Sequence, residues 1–389
     1  MTNSYIINDY LFNITEHDIG VNFTIEGDSN YLINDSLRDY LKKIKEEIGN
    51  YEDKWDIYKK YTNKYEYINT NINSFNIKTP VCSYKPISRS YFKMIEILNN
   101  FKFNFDKDIS SFHLAEGPGG FIEALANYRE NVNDNYYGIT LMDGNNDIPK
   151  WNKISNFMKK HKNINLLYGP KNDGNLYYYH NLIYFKNNYS NNFEFITADG
   201  GFDYSIDFNK QEENSINLIF CEVLYALILQ KYGGSFVLKI FDIFHKLTLE
   251  ILYLLSFFYE KVYVYKPLTS REANSEKYII CINFQKKNNY KQIINKLIEN
   301  FQELKEKKLK NIFNFDLNIY YLNKIQEINA IFGQQQIENI MNTINYIKDT
   351  NSNHNEKINK IKNNNIDKCI KWCKQYEQPI HKDLANILT

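Results

Sequence analysis

The sequence predicts an α/β protein: a mostly parallel sheet covered by helices on both faces, with one antiparallel end strand and helical N- and C-terminal additions. Three observations carry that expectation. Between about residues 85 and 284, short apolar runs alternate with helical patterns, and strands separated by helices build a parallel sheet. The last two runs are joined by the polar "LTSREANSE" with no helix between, which implies an antiparallel strand. Ahead of this region the chain is polar, with charges three and four residues apart, the spacing of solvated helix.

Residues 1–80 read as a helical and irregular extension, with "DSLRDYLKKIKEEIGNYEDKWDIYKKY" as its clearest helix. The sheet domain is expected over 81–288. Its strands are "SFHLAEG", "YYGITLM", "INLLYG", "FEFITADGG", "SFVLKIF", "KVYVYKP" and "KYIICINF". The clearest helix between them, "QEENSINLIFCEVLYALILQKYGG", is apolar at helical spacing and is expected to stop at Gly233-Gly234. The most apolar window, "LTLEILYLLSFFYEKVYVYKP", is interrupted by Glu250, Glu260 and Lys261. It predicts a buried helix followed by a strand, with no membrane span. Residues 289–389 return to helical patterns, with a polar, low-complexity linker near 350–366.

A chain of 389 residues suggests two or three domains. Asn, Ile, Lys, Tyr and Phe are heavily used while Ala, Gly and Pro are scarce, a bias that AT-rich codons produce, as in a large virus or an intracellular parasite. The net charge of +1 excludes a global pull onto a polyanion, so any basic surface for nucleic acid is local. Five scattered cysteines make no disulfide framework and point to a reducing, cytoplasmic compartment. Cys369 and Cys373 have no second pair at ligand spacing, so they read as small residues on one helix face and no metal is expected. The N-terminus lacks a basic segment ahead of its apolar residues, and no signal peptide is expected.

The stretch "FHLAEGPGGFIEAL" runs from a buried strand through a glycine turn into a helix, at the strand end where open α/β sheets bind ligands. It lacks G-x-G-x-x-G and the lysine of a P-loop, and Glu116 would repel a pyrophosphate. S-adenosylmethionine suits it better. The cofactor's ammonium pairs with an acid, its carboxylate accepts backbone N–H groups, and Gly117, Gly119 and Gly120 permit close approach beside a stiffening Pro118 and Phe121. The second strand ends at Leu141-Met142-Asp143, expected at the ribose, and "KNDGNL" offers Asp173 and Asn175 to the adenine edge.

Four charged residues suggest the reaction. Asp199 follows an apolar strand, Lys239 interrupts the otherwise buried "FVLKIF", Glu276 opens the last strand, and Lys93 lies on an amphipathic helix. A buried lysine is costly unless it is paired or functional. Two lysines facing two acids suit deprotonation of a ribose hydroxyl, with the central lysine's pKa lowered by its cationic neighbour. The bland readings stay open: Lys93 as a solvated helix residue, Asp199 as a turn former, Glu276 as a surface acid.

"HLAEGPGGFIEAL", "TADGGFDYSIDFNKQEENSINLIFCEVLYALILQKYGGSFVLKIFD" and "YKPLTSREANSEKYIICINF" together resemble the FtsJ-like RNA 2′-O-methyltransferases, and among these the cap-specific mRNA enzymes of large cytoplasmic DNA viruses. The resemblance covers roughly residues 85–285. It implies a Rossmann-like S-adenosylmethionine-dependent fold and a catalytic set of Lys93, Asp199, Lys239 and Glu276. It also implies a cofactor pocket built from the Glu116–Gly120 loop, the second strand end and the Asp173–Asn175 loop. Many relatives have an acid where this chain has Asn175, so altered cofactor contacts are expected. The resemblance implies capped RNA as substrate, with other capping or transcription proteins as partners, and an RNA path flanked by Lys266 and Arg271, with Lys85 and Arg89 opposite. Methylation of ribosomal or other uncapped RNA, and a non-catalytic RNA-binding scaffold, are the rival expectations.

Overall fold

The computed structural model describes residues 4–8, 13–25, 30–73, 78–142, 151–201 and 208–385. The N-terminal region contributes strands β1 (Ser4–Ile6) and β2 (Ile19–Thr24) and helices α1 (Asp35–Glu47) and α2 (Glu52–Thr62). The sheet region opens with α3 (Ser90–Asn100), β3 (Ser110–Leu114), α4 (Gly120–Arg129), β4 (Asn135–Ile139), α5 (Ser155–Lys160) and β5 (Ile164–Leu167). It continues through α6 (Tyr179–Tyr189), β6 (Phe193–Ala198), α7 (Gln211–Leu229), β7 (Gln230–Ile240), α8 (Lys246–Phe258), β8 (Tyr259–Tyr265) and β9 (Lys277–Phe284). The chain then adds α9 (Tyr290–Ile298), β10 (Lys308–Phe313), α10 (Ile319–Lys348), α11 (His354–Gln375) and α12 (Lys382–Ala385).

All seven expected strands form, and they lie in one eight-stranded sheet of order β1-β8-β9-β7-β6-β3-β4-β5. β7, β6, β3, β4 and β5 are mutually parallel. Successive strands run outward from β3 in both directions, so the order reverses between β3 and β6, and their C-terminal ends form the expected ligand crevice. The last strand of the series, β9, is antiparallel as expected, but it inserts between β7 and β8. β1 then adds an antiparallel edge strand beside β8, which nothing in its short sequence announces.

Both faces of the sheet are covered. Phe112, Leu114, Phe195, Ile196, Phe236 and Leu238 are fully buried, which is why these strands read as apolar runs and not as alternating ones. α8 is buried on all sides and is followed by β8. No helix among the described residues is long and apolar enough to cross a membrane. α7 ends at Leu229, ahead of the glycine pair; Gly233-Gly234 lie inside β7, where the register against β6 shifts.

The two additions pack together. β2 pairs with β10, Thr62 Oγ1 meets Thr343 Oγ1 at 2.6 Å, and Asn365 Nδ2 donates to Tyr61 O at 2.7 Å. α1 reaches the sheet through Lys45 Nζ, 2.9 Å from Asp242 Oδ2. The expected linker near 350–366 is corrected: residues 354–366 belong to α11. Its polar face misled the reading, while Cys369, Trp372 and Cys373 on the same helix are buried.

Candidate active site

Three strands and one helix deliver the four charged residues to one place. Asp199 is the first residue past β6, and the register Ala198↔Leu238 sets Lys239 of β7 level with it. Lys239 Nζ donates to the Asp199 main-chain O at 2.7 Å and lies 3.3 Å from Oδ1. On its other side β9 pairs Lys239 with Tyr278, whose hydroxyl donates to Asp199 Oδ1 at 3.3 Å. Glu276 immediately precedes β9. Its carboxylate accepts from Lys93 Nζ at 2.7 Å and from Ser270 Oγ at 2.9 Å. The site is therefore two lysine–carboxylate pairs, close enough that Glu276 and Lys239 act on each other's charge.

Burial alone would raise the Glu276 carboxyl, but Lys93 and then Lys239 outweigh it and hold it down at about 2. Burial would lower the Lys239 ammonium, yet Asp199, Glu276 and Glu222 together raise it above its ordinary value. The expectation of a lowered Lys239 is thereby overturned, because the surrounding acids outweigh burial and any cationic neighbour. Lys266, beneath the site, is pushed down to about 7 by burial and by Lys277.

A carboxyl held below its unfolded value stabilises the fold above that value and loses the contribution as pH falls through the folded one. Wild-type stability should fall between pH 4.5 and about 2, this group accounting for at most about 3 kcal/mol. Urea melts across that window should show a shallower pH slope for Glu276→Gln. An identical slope contradicts the pairing.

The glycine turn is arranged differently from the expectation. Glu116 is buried, and its Oε1 accepts the Phe121 N–H at 2.6 Å, capping α4. Gly117 N–H goes to Thr140 Oγ1 at 3.3 Å. These N–H groups are engaged, so an anionic ligand group does not find the expected cradle in them. Glu116 Oε2, however, is buried with no hydrogen-bond partner among the described residues, and burial plus the nearby Asp199 charge push this carboxyl well above the usual range. An orphaned acid beside a second acid suits a cationic ligand group. Gly119 has φ +107°, which a larger residue adopts only with strain.

The second strand end and the "NDG" loop meet where Met142 N–H donates to Asp173 O at 2.8 Å. The Asp173 carboxylate, expected at the adenine edge, accepts from Asn175 N–H at 2.9 Å and Asn181 Nδ2 at 2.6 Å, and lies 3.2 Å from His180 Nε2. It shapes its own loop. Asn175 Oδ1 takes the Tyr177 N–H at 2.9 Å, leaving its Nδ2 as the donor toward a ligand. Leu141 is half-buried beside this loop, and Asp143 lies outside the described residues.

Of the residues expected along the RNA path, Lys85 is exposed ahead of α3. Arg89 and Arg271 converge on the buried Glu66, through Nη1 at 2.9 Å and Nη2 at 3.0 Å respectively. Lys266 is corrected. It is buried behind the end of β8, and its Nζ donates to Asn274 O at 2.5 Å and Glu276 O at 2.9 Å. It supports the loop that presents Glu276.

Several buried acids are not expected from the sequence reading. Besides Glu66, Glu96 of α3 accepts from Tyr265 Oη at 2.5 Å, Leu268 N–H at 2.6 Å and Trp372 Nε1 at 3.2 Å, fixing the start of the loop before Glu276. Glu123 of α4 takes Tyr84 Oη and the Ile87 N–H, both at 2.7 Å, holding the approach to α3. Glu222 of α7 takes the Gly200 N–H at 3.2 Å behind Asp199, and burial lifts it to about 8. Their signal was present in "KMIEIL", "GFIEAL" and "FCEVL": an acid inside an apolar helix is as costly as the lysine in "FVLKIF".

A doubly wound sheet with acids and lysines gathered over its switch point defines a Rossmann-like S-adenosylmethionine-dependent methyltransferase. The chain belongs to the FtsJ-like methyltransferase family, whose profile matches residues 86–284. It is 31% identical over 257 residues to the cap-specific mRNA (nucleoside-2′-O-)-methyltransferase of Autographa californica nuclear polyhedrosis virus, covering 62% of this chain and 94% of the relative. It is 29% identical over 294 residues to the zebrafish (Danio rerio) cap-specific mRNA (nucleoside-2′-O-)-methyltransferase 2, covering 68% of this chain and 37% of that protein. The chain thus spans well under half of the vertebrate relative. A solved structure of Aeropyrum pernix fibrillarin aligns over 50% of this chain and 76% of its own, at 10% identity and a TM-score of 0.35.

Proposed function

We propose that this protein methylates the ribose 2′-hydroxyl of capped messenger RNA at the first transcribed nucleotide. The observation that carries the reading is the double pair Lys93–Glu276 and Lys239–Asp199 at the strand ends. A ribose hydroxyl is a weak nucleophile, and the arrangement supplies what it lacks. Lys239 is the group set to hold the hydroxyl oxygen and stabilise its developing negative charge; in the neutral form it accepts the hydroxyl proton. Asp199 fixes Lys239 and is itself held by the Tyr278 hydroxyl, while Glu276 holds Lys93 over the same space. Because positioned reactants need little reorganisation, this rigidity contributes much of the acceleration.

S-adenosylmethionine, when bound, supplies an electrophilic methyl on a sulfonium. Glu116 and Asp199 are the acids suited to its cationic amino-acid end, and Asn175 with the Leu141–Met142 strand end is suited to its nucleoside. A cytoplasmic setting fits five free, buried cysteines. Other capping or transcription proteins are the natural partners of such an enzyme.

The test is transfer of a labelled methyl to matched RNAs bearing cap 0, a bare triphosphate, or an already 2′-O-methylated first nucleotide. Labelling of the cap 0 RNA alone is expected. Equal labelling of the triphosphate RNA would contradict the cap-specific reading.

A further inference from the structure

Glu66 takes no part in the chemistry above, yet it ties the N-terminal region to both segments that carry it. The residue is 1% exposed, between α2 and α3. Its Oε1 accepts from Thr70 Oγ1 at 2.9 Å and Arg271 Nη2 at 3.0 Å. Its Oε2 accepts from Arg89 Nη1 at 2.9 Å, Arg271 Nε at 3.2 Å and Asn63 Nδ2 at 2.5 Å. Arg271 is thus gripped in a two-pronged fashion that fixes the plane of its guanidinium. Arg89 is held on one nitrogen by Glu66 and on the other by Thr269 O at 3.3 Å.

Neither arginine is enclosed: their side chains are 24% and 32% exposed. Arg89 lies one helical turn before Lys93, and Arg271 lies on the loop that ends at Glu276. Two guanidiniums on one carboxylate leave one net positive charge at the rim of the site. That is the complement of a single phosphodiester. A buried carboxylate between two arginines adds little net stability; its geometric effect is to aim both cations.

We propose that Glu66 is a positioning residue that holds Arg89 and Arg271 as a preformed clamp for one RNA phosphate beside the reactive ribose. The inference rests on the RNA 2′-O-methyltransferase reading for its catalytic meaning, but its test reads binding without turnover. Affinity of the full chain for a short capped RNA is measured by fluorescence anisotropy over a salt series, with melting temperature as the control for folding. Glu66→Gln should weaken RNA binding about ten-fold and leave S-adenosylmethionine affinity unchanged. The double variant Arg89→Ala/Arg271→Ala should weaken it too and flatten the salt dependence, and in that background Glu66→Gln should add nothing.

A further loss in that background, or wild-type RNA affinity in folded Glu66→Gln, overturns the clamp. Wild-type affinity in the double arginine variant overturns it as well. If Glu66→Gln fails to fold, Glu66→Asp, which keeps the charge and shortens the reach, is read by the same criteria. A wild-type chain that shows this coupling but transfers no methyl supports the clamp and refutes the methyltransferase reading.

Discussion

Lys239→Ala is expected to lower methyl transfer to capped RNA by about 10²–10⁴-fold, with S-adenosylmethionine binding within a few-fold of wild type. The side chain rises from the end of a parallel strand into the crevice, fixed by the Asp199 carbonyl and carboxylate at 2.7 and 3.3 Å. An added Cβ on Gly201 would stand 3.2 Å from its ammonium, so bare backbone leaves that flank open. Because the surrounding acids raise Lys239, it is protonated at neutral pH before substrates bind. Its neutral fraction then grows about ten-fold per pH unit below that pKa. Single-turnover rates should therefore climb with pH through the neutral range. Lys239→Arg, which stays charged, should lose both the rate and the climb. Wild-type turnover in Lys239→Ala would remove Lys239 from the reaction.

Gly174→Ala should have the second large effect, on cofactor affinity. Gly174 has φ +60°, and an added Cβ would lie 1.9 Å from Thr140 O. The obstacle is backbone, so it does not swing aside as the Ile154 Cδ1 facing Gly119 does at 2.5 Å. The left-handed conformation alone costs alanine about 1 kcal/mol, and the clash must also part the "NDG" loop from the end of β4. Calorimetric titration of the folded variant should show S-adenosylmethionine affinity reduced at least about ten-fold. Unchanged affinity would mean that these two segments do not form the cofactor wall.

The sheet was legible because a strand buried on both faces reads as an apolar run, and seven such runs became seven strands. The reactive residues were legible for a related reason: Lys239 stands out inside "FVLKIF". What stayed hidden needed partners distant in sequence. β1 gains its place only by pairing with β8, some 260 residues on. Lys266 reads as a residue of the RNA path, and only the folded loop shows it turned inward onto the Asn274 and Glu276 carbonyls. The sign of the Lys239 shift follows chiefly from Asp199 and Glu276, both legible in the sequence; only their closeness, and Glu222 behind Gly200, needed the fold. α11 was read as a linker because its anchors, Cys369, Trp372 and Cys373, follow a run of Asn and Lys.

The most direct test of the proposed activity is where the methyl lands. Capped RNA treated with the full chain and labelled S-adenosylmethionine would be digested to its cap dinucleotide and nucleosides and resolved by mass. One added methyl is expected, on the ribose of the first nucleotide of the cap dinucleotide. A methyl on a base, or label confined to internal nucleotides, would contradict it.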